Sequence, residues 1–290
     1  MTGILLAMAA ALATALSHVL AKDSLHRQDF PAFLIVRTTA ASAVLAVLLL
    51  FRGGMAELLA IPEDIVWLLI GLGFICPLST NIAYFSALKR LQVNVAIPVF
   101  HCFPAIAFVL GLLFLSLPFS LVNLAGVMCV IGGTAGFCLR QAESDELMQA
   151  RLSGIALAIF AALLFASTII CWKVLRERAS PLAITFLGTS TSAVTLLAAY
   201  SWRLRLLRWD GLATNMKTAI SGILIFGFAN LLSIHAMEDL SPAVVYSVVS
   251  SSVLWVGVFA LVMLREKWTP LQIVSALLVF AGVVVLGLSR

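Results

Sequence analysis

Charge is what this sequence has least of. Only 11% of its 290 residues are Asp, Glu, Lys or Arg and 62% are hydrophobic, whereas a water-soluble domain has about a quarter of its residues charged. That scarcity excludes an ordinary soluble fold. The five cysteines, Cys76, Cys102, Cys129, Cys138 and Cys171, show no CxxC spacing, so neither a metal site nor a disulfide framework is expected. Phosphate loops of the G-x-x-x-x-G-K-[ST] type, H-E-x-x-H zinc helices and G-x-S-x-G elbows are all missing. Their absence argues against an enzyme, a bound cofactor and ATP-driven transport by this chain alone. The basic surplus, a net charge of +5, forms no cluster large enough to track a phosphate backbone, so no nucleic-acid partner is expected.

Apolar runs fill the sequence instead. They follow one another from Gly3 to Ser289, each of about 20 residues and so able to cross a hydrocarbon layer about 30 Å thick. Ten spans are expected, near 3–21, 30–51, 65–88, 94–116, 121–139, 152–172, 181–200, 218–237, 242–264 and 270–288. Stretches such as "AVLAVLLLF" and "GILIFGFANLL" are apolar on every face, which excludes the alternating pattern of a membrane β-barrel. The fold class is therefore an all-α integral membrane protein, with membrane lipids as its surroundings. "SWRLRLLRW" (Ser201 to Trp209) reads as a lipid anchor at a membrane surface.

The chain also repeats itself. "GILLAMAAALATALSHVLAK" (Gly3 to Lys22) laid over "GIALAIFAALLFASTIICWK" (Gly154 to Lys173) matches nine of twenty residues, both ends included. Later the register becomes 149, with Asn81 on Asn230, Leu91 on Leu240 and Gly133 on Gly282. The expectation is two five-helix repeats, 1–140 and 152–290, joined by 141–151. Because five is odd, the second copy must enter the membrane from the opposite side. Inverted repeats of this kind recur in secondary transporters, where rocking of the halves exposes a midplane site to each side in turn.

Two repeated features carry the comparison further. Ala7, Ala11 and Ala15 match Ala158, Ala162 and Ala166, a small-residue face that predicts close packing near the interface between halves. "GGTAG" (Gly132 to Gly136) predicts packing against another helix or protomer. "ALKRLQ" (Ala87 to Gln92) and "AMEDLS" (Ala236 to Ser241) are one turn written twice with its charge reversed, which suits opposite faces of a membrane.

Ten spans in two copies, each opening on a G-x-x-x-A-x-x-x-A helix that closes on Lys22 or Lys173, resemble the EamA-type branch of the drug/metabolite transporter superfamily over the whole chain. The family's later helices pair a proline with a short Gly-Glu-Arg-type turn and a glycine-bearing helix. Here the first copy keeps Pro104 but has "SLPFS" at the turn, and the second keeps Arg265-Glu266-Lys267 but has Val253 at the proline position. Gly126, Gly132 and Gly133, and Ala281 with Gly282, fit the last element. The resemblance implies an inner-membrane transporter of a small-molecule metabolite.

Polar residues inside spans are expensive in lipid and turn inward. Asn81 and Asn230 occupy equivalent positions, and each amide suits either a polar substrate or helix–helix hydrogen bonding. His101 and Asn81 lie about ten residues to either side of the turn at Leu91, hence at one depth; Asn230 and Ser250 flank Leu240 in the same way. The substrate-contact candidates are Asn81, Tyr84, His101, Asn230, Tyr246, Ser250 and Trp255, between spans one, three, four, six, eight and nine. His101 is the proton-coupling candidate, because its charge can change near neutral pH.

Arg37, the one charge clearly inside a span, is expected to anchor structure by reaching the interface near Pro31, with substrate binding as the alternative. His18 and His235 are expected at membrane edges, and Pro77, Pro98 and Pro104 to kink their helices and free carbonyls to line a cavity. The expected function is secondary transport by alternating access, most simply export of amino acids or related small polar metabolites, by a monomer or homodimer. A lipid-moving or scaffold protein built from the same helices is the alternative. For orientation, a cytoplasmic amino terminus would leave five Lys/Arg on the cytoplasmic side and twelve on the other. The positive-inside rule therefore favours termini outside, while the family resemblance implies cytoplasmic termini.

Overall fold

The computed structural model describes residues 2–52, 54–114, 121–138, 145–176, 178–240, 242–265 and 269–288. The "SLPFS" turn, Glu266-Lys267 and the first residues of the 141–151 connection lie outside them. Every element among the described residues is helical.

The first half runs α1 (Thr2–Leu25), α2 (Phe30–Phe51), a short α3 (Met55–Leu59), and α4 (Glu63–Gly73), which passes through a π-helical turn (Phe74–Ser79) into α5 (Thr80–Arg90). α6 (Val93–Phe100), α7 (Phe103–Phe114) and α8 (Leu121–Cys138) complete it. The second half runs α9 (Asp145–Leu175), α10 (Pro181–Tyr200), α11 (Leu212–Gly222), a second π-helical turn (Ile223–Ala229), and α12 (Asn230–Asp239). α13 (Pro242–Ser250), α14 (Ser252–Phe259) and α15 (Pro270–Leu288) follow.

Among the described residues six stretches are long and apolar enough to cross a membrane: Thr2–Leu25, Phe30–Phe51, Glu63–Arg90, Gln149–Trp172, Pro181–Arg203 and Leu212–Asp239. The apolar helices at the fourth, fifth, ninth and tenth expected spans are shorter, and two of these spans are broken. At Cys102 the amide reaches back only to Val99 O (3.2 Å), and at Ser251 only to Val248 O (3.0 Å). Pro104 follows the first break, but no proline follows the second, so the break is a property of the packing and not of proline alone.

Neither half keeps its first helix to itself. α1 packs along α11, the second π-helical turn, α12, α13 and α14, whereas α9 packs along α5, α6 and α7. All six stripe alanines are fully buried, and their missing side-chain bulk is what lets these backbones come close. Glycines fix the other crossings. A Cβ on Gly73 would come within 2.7 Å of Thr191 Cβ, and one on Gly222 would collide with the Arg37 carbonyl. Likewise Gly133 faces the Ser275 carbonyl at 2.7 Å and Gly282 the Gly126 carbonyl at 2.6 Å, so the Gly132–Gly136 segment seats on α15 within the same chain.

The charge-reversed turns make matched contacts. Arg90 donates to the Ser153 hydroxyl (3.1 Å), and Asp239 accepts from the Thr2 hydroxyl (2.9 Å). Behind them Lys22 binds the carbonyls of Leu88 and Leu91, the latter at 2.7 Å, and Arg176 binds that of Met237. Each basic group thus meets the carbonyl end of a helix, where positive charge is favoured. The Ser201–Trp209 segment is held by protein as well as offered to lipid: the Arg208 amide donates to Asp29 Oδ2 (2.8 Å) and its guanidinium to Arg27 O (2.8 Å).

Candidate functional site

Two helix irregularities set what reaches the centre. Ahead of Pro77, Cys76 leaves helical dihedrals (φ −140°, ψ 123°), since proline disfavours the α conformation in the residue before it. The carbonyls of Phe74 and Ile75 are then taken by the Ser79 (2.6 Å) and Thr80 (2.9 Å) hydroxyls, so they are occupied and not bare acceptors as expected. The second half widens at the matching place without a proline, and Asn81 and Asn230 follow the two wide turns. Such turns concentrate at functional sites.

A cavity of about 70 Å³ lies between the halves. Thr14 and His18 face it from α1, and Arg37 from α2. The kink between α4 and α5 contributes Cys76, Thr80, Asn81 and Tyr84, and the α6–α7 break contributes Phe100, His101 and Phe103. Phe165 enters from α9; Ile225, Phe226, Asn230 and Ser233 from the second wide turn and α12; Tyr246 and Val249 from α13. Five of the expected contacts, Asn81, Tyr84, His101, Asn230 and Tyr246, are therefore brought together.

Two are not. Ser250 is fully buried but outside the lining. Trp255 is 41% exposed, because Val253 and Val256 take the inner face of α14 and leave the indole on the outer one. His235 pairs with Glu238 (3.1 Å) near a helix end.

Two residues expected at membrane edges lie in the cavity wall instead. His18 is buried with its ring centroid 5.0 Å from that of Tyr84. Arg37 is 1% exposed and does not reach the interface. Its Nη1 donates to Ser221 Oγ (2.9 Å) and its Nη2 to Ser17 Oγ (3.1 Å). Both hydroxyls can accept because their own protons go elsewhere, Ser17 to Ser221 O (2.7 Å) and Ser221 to Thr218 O (2.7 Å). The guanidinium carbon also lies over the rings of Phe85 (4.6 Å), Phe226 (5.6 Å) and Phe33 (5.9 Å), contacts worth about 0.5–2 kcal/mol each. These offset an insertion cost of at least about 2.5 kcal/mol without neutralising the charge.

Unused hydrogen-bonding capacity gathers here. Arg37 Nε, Asn81 Nδ2, Tyr84 Oη, Tyr246 Oη and one nitrogen each of His18 and His101 are buried without a partner. Buried polar atoms are normally paired, so six orphans around one cavity mark a place built to receive something polar. The other His101 nitrogen, Nε2, meets Ser252 Oγ at 3.2 Å, which ties the two broken helices together. Among the polar groups, Phe103 packs edge-on against Phe165 (4.9 Å) and Tyr246 (5.7 Å), and Phe100 lies beside Tyr84 (4.9 Å). Among the described residues no three His, Cys, Asp or Glu side chains come together as metal ligands.

Comparison with known proteins places this geometry. The model of the EamA-like transporter family matches residues 1–139 and again residues 152–288. The chain belongs to the EamA-like transporter family. It is accordingly a multi-pass membrane protein of a transporter family, and the two matched segments coincide with the halves that enclose the cavity. A solved structure described as "Crystal structure of protein" shares the fold at a TM-score of 0.71 and 16% identity, over 98% of this chain and 95% of its own. No curated protein matches the chain.

Sequence reasoning about this EamA-like transporter missed His18, Cys76 and the phenylalanine wall, and put substrate contact at Arg37 second to anchoring. For Arg37 a signal existed: no Asp or Glu lies inside any span to neutralise it. For the phenylalanines there was none, since 18 of them are spread through an apolar chain.

Proposed function

We propose that this protein is a secondary active transporter of amino acids or related small polar metabolites, working as an exporter in a bacterial-type inner membrane. Ten membrane crossings form two inverted five-helix repeats, 1–140 and 152–290. These rock about the α2–α10 and α8–α15 contacts so that the central cavity opens to one side at a time. Asn81 and Asn230 contact the substrate from opposite halves, with Tyr84 and Tyr246 beside them. His101, bridging to Ser252 across the halves, is the candidate to couple that opening to a proton. The observation that carries this reading is the cavity with its six unpartnered polar atoms, lined by both halves.

Reconstituted vesicles loaded with a broad metabolite panel test it. Saturable efflux of a polar solute is expected, with Asn81→Ala, His101→Ala and Asn230→Ala each impairing it while membrane insertion is retained. No flux of any solute, or normal flux in all three variants, would overturn the assignment.

A further inference from the structure

Among the described residues Arg37 is a buried cation without a counter-ion. None of the cavity's lining residues is Asp or Glu, and the described acidic residues lie at helix ends, in the short α3 and in connections. Of its five N–H donors, two are spent on Ser17 and Ser221, and Nε has no partner. Aromatic faces stabilise the charge but supply no negative charge in return. Beside it, the Asn81 amide nitrogen and the Tyr84 hydroxyl are further unpartnered groups able to donate. The rest of the lining joins apolar side chains, Phe100, Phe103 and Phe165 among them, to polar ones such as His101 and Asn230. The cavity therefore offers a cation with spare donors together with apolar contact from the phenylalanines.

We infer that Arg37 is the carboxylate-binding pole of the site and that the substrate is a small monocarboxylate whose other end is apolar. This rests on the transport reading for the role of the site, but not for its chemistry. A planar guanidinium matches a carboxylate with two parallel hydrogen bonds, and at about 70 Å³ the cavity is smaller than one of about 150 Å³ that takes up benzene. A short aliphatic acid suits it in this conformation. A simple acid and an amino acid share the carboxylate, so they form separate arms of the test.

The experiment is calorimetric titration of the full-length protein in detergent at pH 8 with propanoate against propanamide, and with alanine against alaninamide. The expected result is binding of at least one acid, with its amide about ten- to a hundredfold weaker, the loss that follows removal of a charge-assisted bond. Arg37→Gln should abolish the preference, and Arg37→Lys should keep part of it. Binding by propanoate alone identifies the simple acid as the source, and binding by alanine alone the amino acid. If neither acid binds, if amide and acid bind alike, or if folded Arg37→Gln binds the acid unchanged, the inference fails. The acid–amide comparison uses the unaltered protein, so it stands even where a variant does not fold. Acid binding without vesicle flux would leave the carboxylate pole intact and remove the transport reading. Efflux confined to uncharged or cationic solutes, equal in wild type and Arg37→Gln, would do the reverse.

Discussion

At position 37 the first half carries an arginine whose backbone carbonyl is crossed by Gly222; at the matching position 188 the second half carries a glycine whose carbonyl is crossed by Gly73. The crossings agree, and the side chains do not. The same division recurs at the helix breaks, where His101 stands opposite Ser250, while Cys102 and Ser251 close identical short turns. Apart from Asn81 and Asn230 in the cavity wall, the features shared by both halves are those that bring helices together. Features present in one half only, a buried cation and an imidazole, both lie in the cavity wall.

Removing the shared features should have the largest effect. Gly222→Ala and Gly73→Ala drive a methyl group into a backbone or a β-branched side chain, and each should cost about 1–3 kcal/mol or more. Thermal unfolding followed by size exclusion would measure it. Gly188→Ala is the control, because its nearest neighbours lie at 3.8 and 3.9 Å, and it should be tolerated. If Gly188→Ala is as harmful as Gly222→Ala, the shared crossings are not what sets stability.

The unshared features should affect flux more than folding. His101→Ala is expected to reduce transport about tenfold, the order of one buried hydrogen bond, while Ser250→Ala changes it little. Equal losses in vesicle efflux would mean that both halves work the site alike. A smaller effect concerns the turns. Exchanging their charges (Lys89→Glu, Arg90→Asp, Glu238→Lys, Asp239→Arg) should shift an amino-terminal reporter toward the opposite face. The melting temperature should move little, since exposed polar pairs are worth about 1 kcal/mol or less. An unmoved reporter would show that other loops decide orientation.

The smallest effect concerns His26, between α1 and α2. Partial burial, with the Lys22 and Lys89 ammonium groups nearby, lowers its pKa. A lowered folded-state pKa means that the neutral ring is preferred in the fold, so its contribution is present above the ordinary histidine value and is lost as pH falls below about 6.5. His26→Gln should flatten the melting temperature slightly between pH 7.5 and 5.5.

Much of the architecture was legible because lipid leaves the sequence few choices. Unbroken apolar runs gave the helices, and matched residues such as Gly133 and Gly282 followed from the 149-residue register. Asn81 and Asn230 were legible for the same reason, as polar groups that lipid would reject. Trp255 was misplaced because a break one turn earlier re-aims α14, and periodicity does not carry across a break. Arg37 was misjudged because its distance from Pro31 counts residues along one helix. Its actual surroundings, Ser17, Ser221 and three phenylalanines, come from elements far apart in sequence.

The hydroxyls of Thr2 and Ser153 bear on how such a protein arises. The Thr2 hydroxyl donates to Asp239 and the Ser153 hydroxyl accepts from Arg90, so a hydroxyl at this place serves a neighbour of either sign. A half with a hydroxyl here can be copied and its facing turn recharged one residue at a time, and the joint never has to be redesigned.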